Sequence, residues 1–416
     1  MHWTRLKRSS QSLTEEKSRM PKVTSLNQQR MKSWEPILTP TNSIKVFLCM
    51  ATVFLAIGIV WLVESDKIRE IRLNYTACHE IESYNELEVM PPENIDKSFK
   101  ASSAGQVVER WKRSNQSITY DGVMKNYTMC TIEFFLPEDL QPPVLYYYRL
   151  TNFHQNHRQY IFSRHTNQLK GEAVGRNTLE GSDCAPLASH QLPSGEGKKI
   201  IYPCGLIANS YFNDTFSKPL RLSSTSGSNE TKSYNMSNVG IAEKVDKTLF
   251  RPTKYQIPSS AGNDSIIVPP PGWTERYPNG YHAQNMFNPA EDESFMVWMR
   301  TSSGPSFSKM ALRNDKDVME RGLYRLEVIS HFPIHKNRGT KSIIISTTSA
   351  VGGRNNVIGR VYIAMGCLSL FLTFVSALTL RYRPRRLTEH DYLHRSISLL
   401  SKADGRSEPL SRAGSY

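Results

Sequence analysis

Two runs of this chain carry no charge: VFLCMATVFLAIGIVWLV, Val46 to Val63, and VYIAMGCLSLFLTFVSALTL, Val361 to Leu380. Wound as helices at about 1.5 Å per residue, runs of this length cross a hydrocarbon core of about 30 Å. Neither has the polar stripe that a core helix of a soluble protein carries. The pattern predicts transmembrane helices over 44–64 and 357–380. Between them it breaks into short β-rich bursts, MCTIEFFL, PVLYYYRL, FMVWMR, YRLEVISHF and KSIIISTT, with turn-formers such as VPPPGW and YPNGY between some of them. Bursts punctuated in this way predict an antiparallel sandwich. In NFHQNHRQYIFSR, positions 152–164, Phe153, His157, Tyr160 and Arg164 recur at helical spacing, which predicts a short helix packed on the sheet. The polar GSNETKSYNMSN, 227–238, reads as a loop. The fold class is a membrane protein with two transmembrane α-helices and a large β-rich, sandwich-like ectodomain.

The flanks set the orientation. Residues 1–43 hold eight Lys/Arg against three Asp/Glu, and residues 381–416 hold eight against four. Short Lys/Arg-rich flanks stay in the cytosol, so both tails are expected there, with 65–356 luminal or extracellular. The formal charge of +14 thereby loses its first suggestion, nucleic acid, because residues 64–360 hold 35 Lys/Arg against 31 Asp/Glu. The excess lies beside the membrane, where each basic residue near anionic lipid contributes about 1 kcal/mol. The first apolar run follows 43 polar residues and precedes ESDKIRE, the pattern of an uncleaved signal anchor.

Cys49 and Cys367 fall inside the apolar runs and read as small packing residues. The other four, Cys78, Cys130, Cys184 and Cys204, are even in number and on the oxidising side, which predicts two disulfides rather than a zinc site. Three connectivities are open; the shorter loops favour Cys78–Cys130 and Cys184–Cys204. In the chain-entropy model those loops contribute about 4 and about 3 kcal/mol. Seven N-x-S/T sequons, Asn74, Asn115, Asn126, Asn213, Asn229, Asn235 and Asn263, lie in the same segment and are candidate glycosylation sites. His154 and His157 lack further ligands, so they read as structural, and Arg158 and Arg164 as partners of carboxylates or carbonyls. Asp246-Lys247-Thr248 reproduces the opening of an ATPase phosphorylation motif, but Leu249-Phe250 follows it and no nucleotide-binding fingerprint accompanies it. No catalytic set, metal site or cofactor site is expected.

An ordered series of motifs carries a resemblance: QQRMKSWEPILTP before the first helix, NFHQNHRQYIFSR, YPCGLIANSYFNDTF at 202–216, VPPPGWTERYPNGY at 268–281, ESFMVWMRT at 293–301, and TSAVGGRNNVIGRVYI entering the second helix. From about Asn27 to Tyr392 the chain resembles the cell division control protein 50 family, the ligand-effect modulators. The resemblance implies a non-catalytic accessory β-subunit that pairs with the catalytic α-subunit of a type IV P-type ATPase, a phospholipid flippase. It implies a role in folding the ATPase, in its export from the endoplasmic reticulum and in lipid flipping, with residence in the endoplasmic reticulum, Golgi, endosomes or plasma membrane. It also implies the pairing Cys78–Cys130 with Cys184–Cys204, and a glycan at Asn213. Neither apolar run carries a charge that would mark an ion or headgroup path. The small residues Ala51, Ala56, Gly58, Gly366, Ser369, Ser376 and Ala377 would let helices approach closely. Rival readings are a subunit of a two-helix ligand-gated channel, a luminal hydrolase and a general cargo receptor or chaperone.

Overall fold

The computed structural model describes residues 24, 26, 40–82, 84–100, 108–191, 197–222, 231–256, 266–334, 338–350 and 352–382. Most of the two tails, Asn229, Asn263, the Gln28–Thr39 part of the first motif and the start of the polar 227–238 stretch lie outside the described residues. Contacts divide the chain into two compact units, Ala56–Tyr362 and the chain before and after it.

The helices are α1 (Pro40–Asp66), α2 (Arg158–Phe162), α3 (Thr166–Leu169), α4 (Arg176–Glu180), α5 (Leu206–Asn209), α6 (Lys244–Leu249), α7 (Glu293–Met299) and α8 (Asn356–Tyr382). The strands are β1 (Glu70–Asn74), β2 (Glu88–Val89), β3 (Ile95–Ser98), β4 (Arg110–Tyr120), β5 (Val123–Leu136), β6 (Val144–Leu150), β7 (Ser189–Gln191) and β8 (Lys198–Ile201). The later strands are β9 (Thr215–Phe216), β10 (Leu220–Leu222), β11 (Thr231–Ser233), β12 (Ile267–Val268), β13 (Phe307–Asn314), β14 (Gly322–Ser330) and β15 (Lys341–Thr347).

α1 and α8 are each long and apolar enough to cross a membrane. Within the unit that holds the chain's two ends a Cβ at Gly366 would lie 2.7 Å from the Leu55 side chain, and within Ala56–Tyr362 a Cβ at Gly359 would lie 2.7 Å from Leu62. Glycine permits these approaches. Ala51, Gly58, Gly366 and Ser369 are buried, whereas Ala56 and Ala377 are exposed. Cys49 and Cys367 are free and exposed, which corrects their reading as packing residues.

Between the helices stand two sheets, one in the order β13-β6-β15-β1-β3, the other in the order β11-β10-β14-β5-β4-β2 with β9 also on β14. The pairings within both are antiparallel. They share one core: Ile71, Leu73, Tyr146, Ile343 and Ile345 from the first sheet pack with Ile132, Phe134, Leu326 and Val328 from the second. That is the expected sandwich. A small third sheet, β12-β8-β7, contains the parallel pair Ile267↔Ile200. Parallel pairing needs a crossover, which the alternating pattern could not announce.

FMVWMR is a helix, not the expected strand. Asp292 accepts the Phe295 N–H at 2.9 Å and so caps α7, and Phe295, Met296, Trp298 and Met299 are buried at one-face helical spacing. Within the polar 227–238 stretch, Thr231–Ser233 forms β11 against β10 rather than continuing a loop. The helix expected in 152–164 is the five-residue α2, with Phe153 before it and Arg164 after it.

The structure joins Cys78 to Cys130 and Cys184 to Cys204, with Cα atoms 6.1 and 5.6 Å apart. The first ties the turn after β1 to β5, and so one sheet to the other. The second ties the loop after α4 to the segment after β8. Cys184→Ser should lower the stability of this region by about 3 kcal/mol, read from denaturant melts of the full chain in mild detergent, and leave Cys204 titratable with a thiol reagent.

Candidate functional site

Four of the motif stretches, 152–164, 202–216, 268–281 and 293–301, far apart in the chain, converge on a second core built from Tyr148, Tyr202, Phe212, Trp273, Phe295 and Trp298 with their neighbours. At its centre is the 202–216 segment. Backbone carbonyls in a four-residue helix such as α5 find few partners within the helix. Aromatic donors from the other motifs supply them. Trp273 Nε1 donates to the Ala208 carbonyl at 2.8 Å, Trp298 Nε1 to the Ile207 carbonyl at 2.8 Å, and the Tyr281 hydroxyl to the Tyr202 carbonyl at 2.8 Å. The Gly272 N–H donates to Asn209 Oδ1 at 2.7 Å. A buried aromatic with a polar tip serves here as apolar filler and as hydrogen-bond partner together.

The histidine-rich stretch is one wall of this core. Phe153 meets the Tyr160, Trp298, Phe307 and Phe332 rings at centroid distances of 5.7–6.3 Å. Gln155 is fully buried and accepts the Ser302 N–H at 3.0 Å. The Tyr160 and Ser210 hydroxyls are 2.7 Å apart, and Ser163 Oγ accepts the Leu206 N–H at 2.9 Å. Arg164 donates to the Met299 carbonyl at 3.4 Å. His154, His157 and Arg158 lie exposed. Among the described residues no group of three or more His, Cys, Asp or Glu side chains is placed to hold a metal.

Asp246-Lys247-Thr248 lies on α6, where Asp246 pairs with Arg300 at 3.2 Å and Lys247 with Glu293 at 2.5 Å. Both ion pairs hold α6 against α7. Lys309 of β13 closes the other end of α7: its ammonium donates to the carbonyls of Val297 at 2.8 Å, Trp298 at 3.0 Å and Arg300. These are the groups that a helix C-terminus leaves open to a cation. Burial pulls the Lys309 ammonium down to about 7, with the Arg300 charge adding to the effect and Asp246 opposing it.

Two residues unsuspected in the sequence tie this core to the sandwich. Asp214 and Lys341 form an ion pair at 2.7 Å, with side chains 0% and 2% exposed. Asp214 also accepts the Tyr75 hydroxyl at 2.8 Å and the N–H groups of His331 and Phe332, each at 2.6 Å. Lys341 donates further to Ser330 Oγ at 2.7 Å and to the Phe332 carbonyl at 3.1 Å. A buried charge pair is sustained only when its remaining lone pairs and protons are engaged in this way. The cluster joins the 202–216 motif to β15, to the turn after β1 and to the segment after β14. The polar position within SYFNDTF was its only sequence signal.

His331 packs against Tyr127 with the rings tilted at 47° and their centroids 4.0 Å apart. Burial holds its imidazole below the ordinary 6.5, against the pull of Asp214 and Glu275. The fold therefore favours neutral His331, and the unfolded chain takes the proton first as pH falls. This contribution is complete above about pH 6.5 and is lost as pH drops through it. Melts of the full chain between about pH 7.5 and about pH 5.5 should show a decline that His331→Gln reduces.

The structure places the described sequons differently. Asn115, Asn126, Asn213 and Asn235 are exposed. Asn74 is half-buried, and its Oδ1 accepts the N–H and hydroxyl of its own sequon's Thr76 at 3.1 and 2.6 Å. Asn115 and Asn126 share a hairpin in which Asn115 faces Thr128 and Ser117 faces Asn126.

Two membrane-length helices, a β-sandwich and an aromatic motif core, each crossed by one disulfide, define an integral membrane protein with a large folded region between its helices. The chain belongs to the LEM3 (ligand-effect modulator 3) family, or CDC50 family, which it matches over residues 61–386. It is similar to the phospholipid-transporting ATPase accessory subunit CRF1 of Saccharomyces cerevisiae, 34% identical over 95% of this chain and 93% of that one. It is 37% identical to the phospholipid-transporting ATPase accessory subunit CDC50 of Chaetomium thermophilum, over 90% of each chain. Cell cycle control protein 50A of Bos taurus is 31% identical, over 89% of this chain and 91% of its own.

Proposed function

We propose that this chain is a non-catalytic accessory subunit, the heterodimeric partner of the catalytic α-subunit of a type IV P-type ATPase that moves phospholipid across a membrane. It supports the folding of that subunit, its export from the endoplasmic reticulum and its lipid flipping. The observation that carries the reading is full-length similarity to relatives named as accessory subunits of phospholipid-transporting ATPases. The motif core agrees with it. Many of its polar groups bond one another or the backbone, as Trp273, Trp298, Tyr281 and Gln155 do, which suits an architectural role. Two helices are too few to enclose a headgroup path, so the lipid route lies in the partner.

In this reading residues 1–43 and 381–416 are cytosolic, 44–64 and 357–380 cross the bilayer, and 65–356 form a luminal or extracellular ectodomain. Its glycans are drawn from Asn74, Asn115, Asn126, Asn213, Asn229, Asn235 and Asn263. No cofactor, metal or nucleic acid takes part. The test is reconstitution of the ATPase with and without this chain, following ATP hydrolysis and movement of labelled phospholipid. The expected result is activity only with both chains present. Full-rate transport by the ATPase alone, or ATP hydrolysis by this chain alone, overturns the reading.

A further inference from the structure

A cleft of about 750 Å³ opens beside the motif core, lined by the aromatic residues Tyr211, Trp273, Tyr277 and Phe287 and by the polar residues Gln284 and Asp292. Asn213, Asp214 and Thr215, a complete sequon, also line it. We infer that the cleft is a carbohydrate site, filled by the first two N-acetylglucosamine residues of a glycan attached to Asn213.

The argument begins at the root of the glycan. Asp214, the middle residue of the sequon, is held from several directions by Lys341, Tyr75, His331 and Phe332. Thr215 on its other side is paired with Ile329 of β14. Side chains of extended backbone alternate, so a buried Asp214 sends Asn213 and Thr215 outward, and both are exposed. The Asn213 side chain thus leaves a fixed backbone at the wall of the cleft, and a sugar joined to it starts there with little freedom to swing away. Tethering replaces a weak bimolecular encounter by an intramolecular one.

The lining matches the ligand. A pyranose presents C–H groups on its faces and hydroxyls around its edge, and the acetamide adds a methyl and an amide. Aromatic side chains interspersed with amide and carboxylate groups offer partners to both parts, and the volume lies within the range of pockets that enclose a small organic ligand. Asn115, Asn126 and Asn235 are exposed too, but none of them lines the cleft.

The inference rests on glycosylation at Asn213 and is independent of the flippase assay, so the two fail separately. Full-length protein from a eukaryotic host, folded in mild detergent, is treated with peptide-N-glycosidase, and release at each sequon is followed by mass spectrometry. Release at Asn213 should be slower than at any modified Asn115, Asn126 or Asn235 by about tenfold or more, as a glycan that must first leave its cleft requires. Denaturation should abolish the difference. Asn288→Trp, which fills the cleft from a partly buried lining position, should bring Asn213 to the rate of the open sites while both disulfides form. Gln284→Trp, at an exposed lining position, should act in the same way. The inference is overturned if Asn213 of the mature protein is unmodified or its glycan leaves as fast as the others. It is equally overturned if protection persists in folded chains carrying either tryptophan.

Discussion

Asp214→Ala is expected to cost about 3–5 kcal/mol and to leave little folded protein at 37 °C. The change strands the Lys341 ammonium, 2% exposed, without its counter-charge, and takes the acceptor from the Tyr75 hydroxyl and two N–H groups. Burial, the largest cause that holds that hydroxyl well above its ordinary range, persists when Asp214 is removed. The double variant Asp214→Ala, Lys341→Met should recover a large part of the loss, because the penalty is the orphaned charge rather than the missing attraction. Neither change alters the sequon pattern, since any residue but proline serves between Asn213 and Thr215. Denaturant melts of the four chains in mild detergent supply the cycle. An additive double variant would mean that the two residues stabilise the fold independently.

Gly205→Ala should be as damaging for a different reason. Gly205 has φ of +100°, and an added Cβ would fall 2.1 Å from the Ser163 carbonyl oxygen and 2.6 Å from its carbon. Those are backbone atoms and cannot rotate aside. They are held in place because Ser163 Oγ accepts from Leu206 and the Gly205 N–H donates to the Leu187 carbonyl at 3.1 Å. Backbone strain and steric displacement together should cost about 4 kcal/mol. Gly122→Ala is the control: its φ is +81°, but a Cβ there meets nothing within 4 Å. It should cost about 1 kcal/mol, the conformational term alone. Equal losses at the two glycines would remove the steric explanation of the PCGLIAN motif.

The contrast between these sites and the rest of the molecule shows what a linear pattern can carry. KSIIIST and YRLEVIS are strands because β-branched runs and alternation are local properties, and they stood out in the sequence. FMVWMR did not, because an apolar run this short suits a buried helix as well as a strand. The deciding residue was Asp292, which lies before the run and acts by capping it. The motif series was legible as a series. Its reason was not, because the carbonyls of Tyr202, Ile207 and Ala208 take donors from stretches far along the chain. Nothing in the linear pattern links Asp214 to Lys341, and only the fold brings them together. The same holds for Gly359, which sits outside the apolar run yet meets Leu62. Ala56 and Ala377, inside the runs, are exposed.

The place of β15 has a consequence for biosynthesis. Among the described residues it is the last strand, yet it lies between β6 and β1 in the five-stranded sheet. A ribosome releases residues in order, so β1 and β6 wait with open edges until residues 341–347 have emerged. Over that interval two apolar strands offer unpaired backbone to any other chain nearby, and Asp214 has no lysine. The sandwich therefore cannot mature in step with synthesis; it closes at the end, in one event, when nearly the whole polypeptide is present. A transcript truncated anywhere before Lys341 would yield a protein arrested in that open state, a target for chaperones and degradation rather than a shorter working subunit.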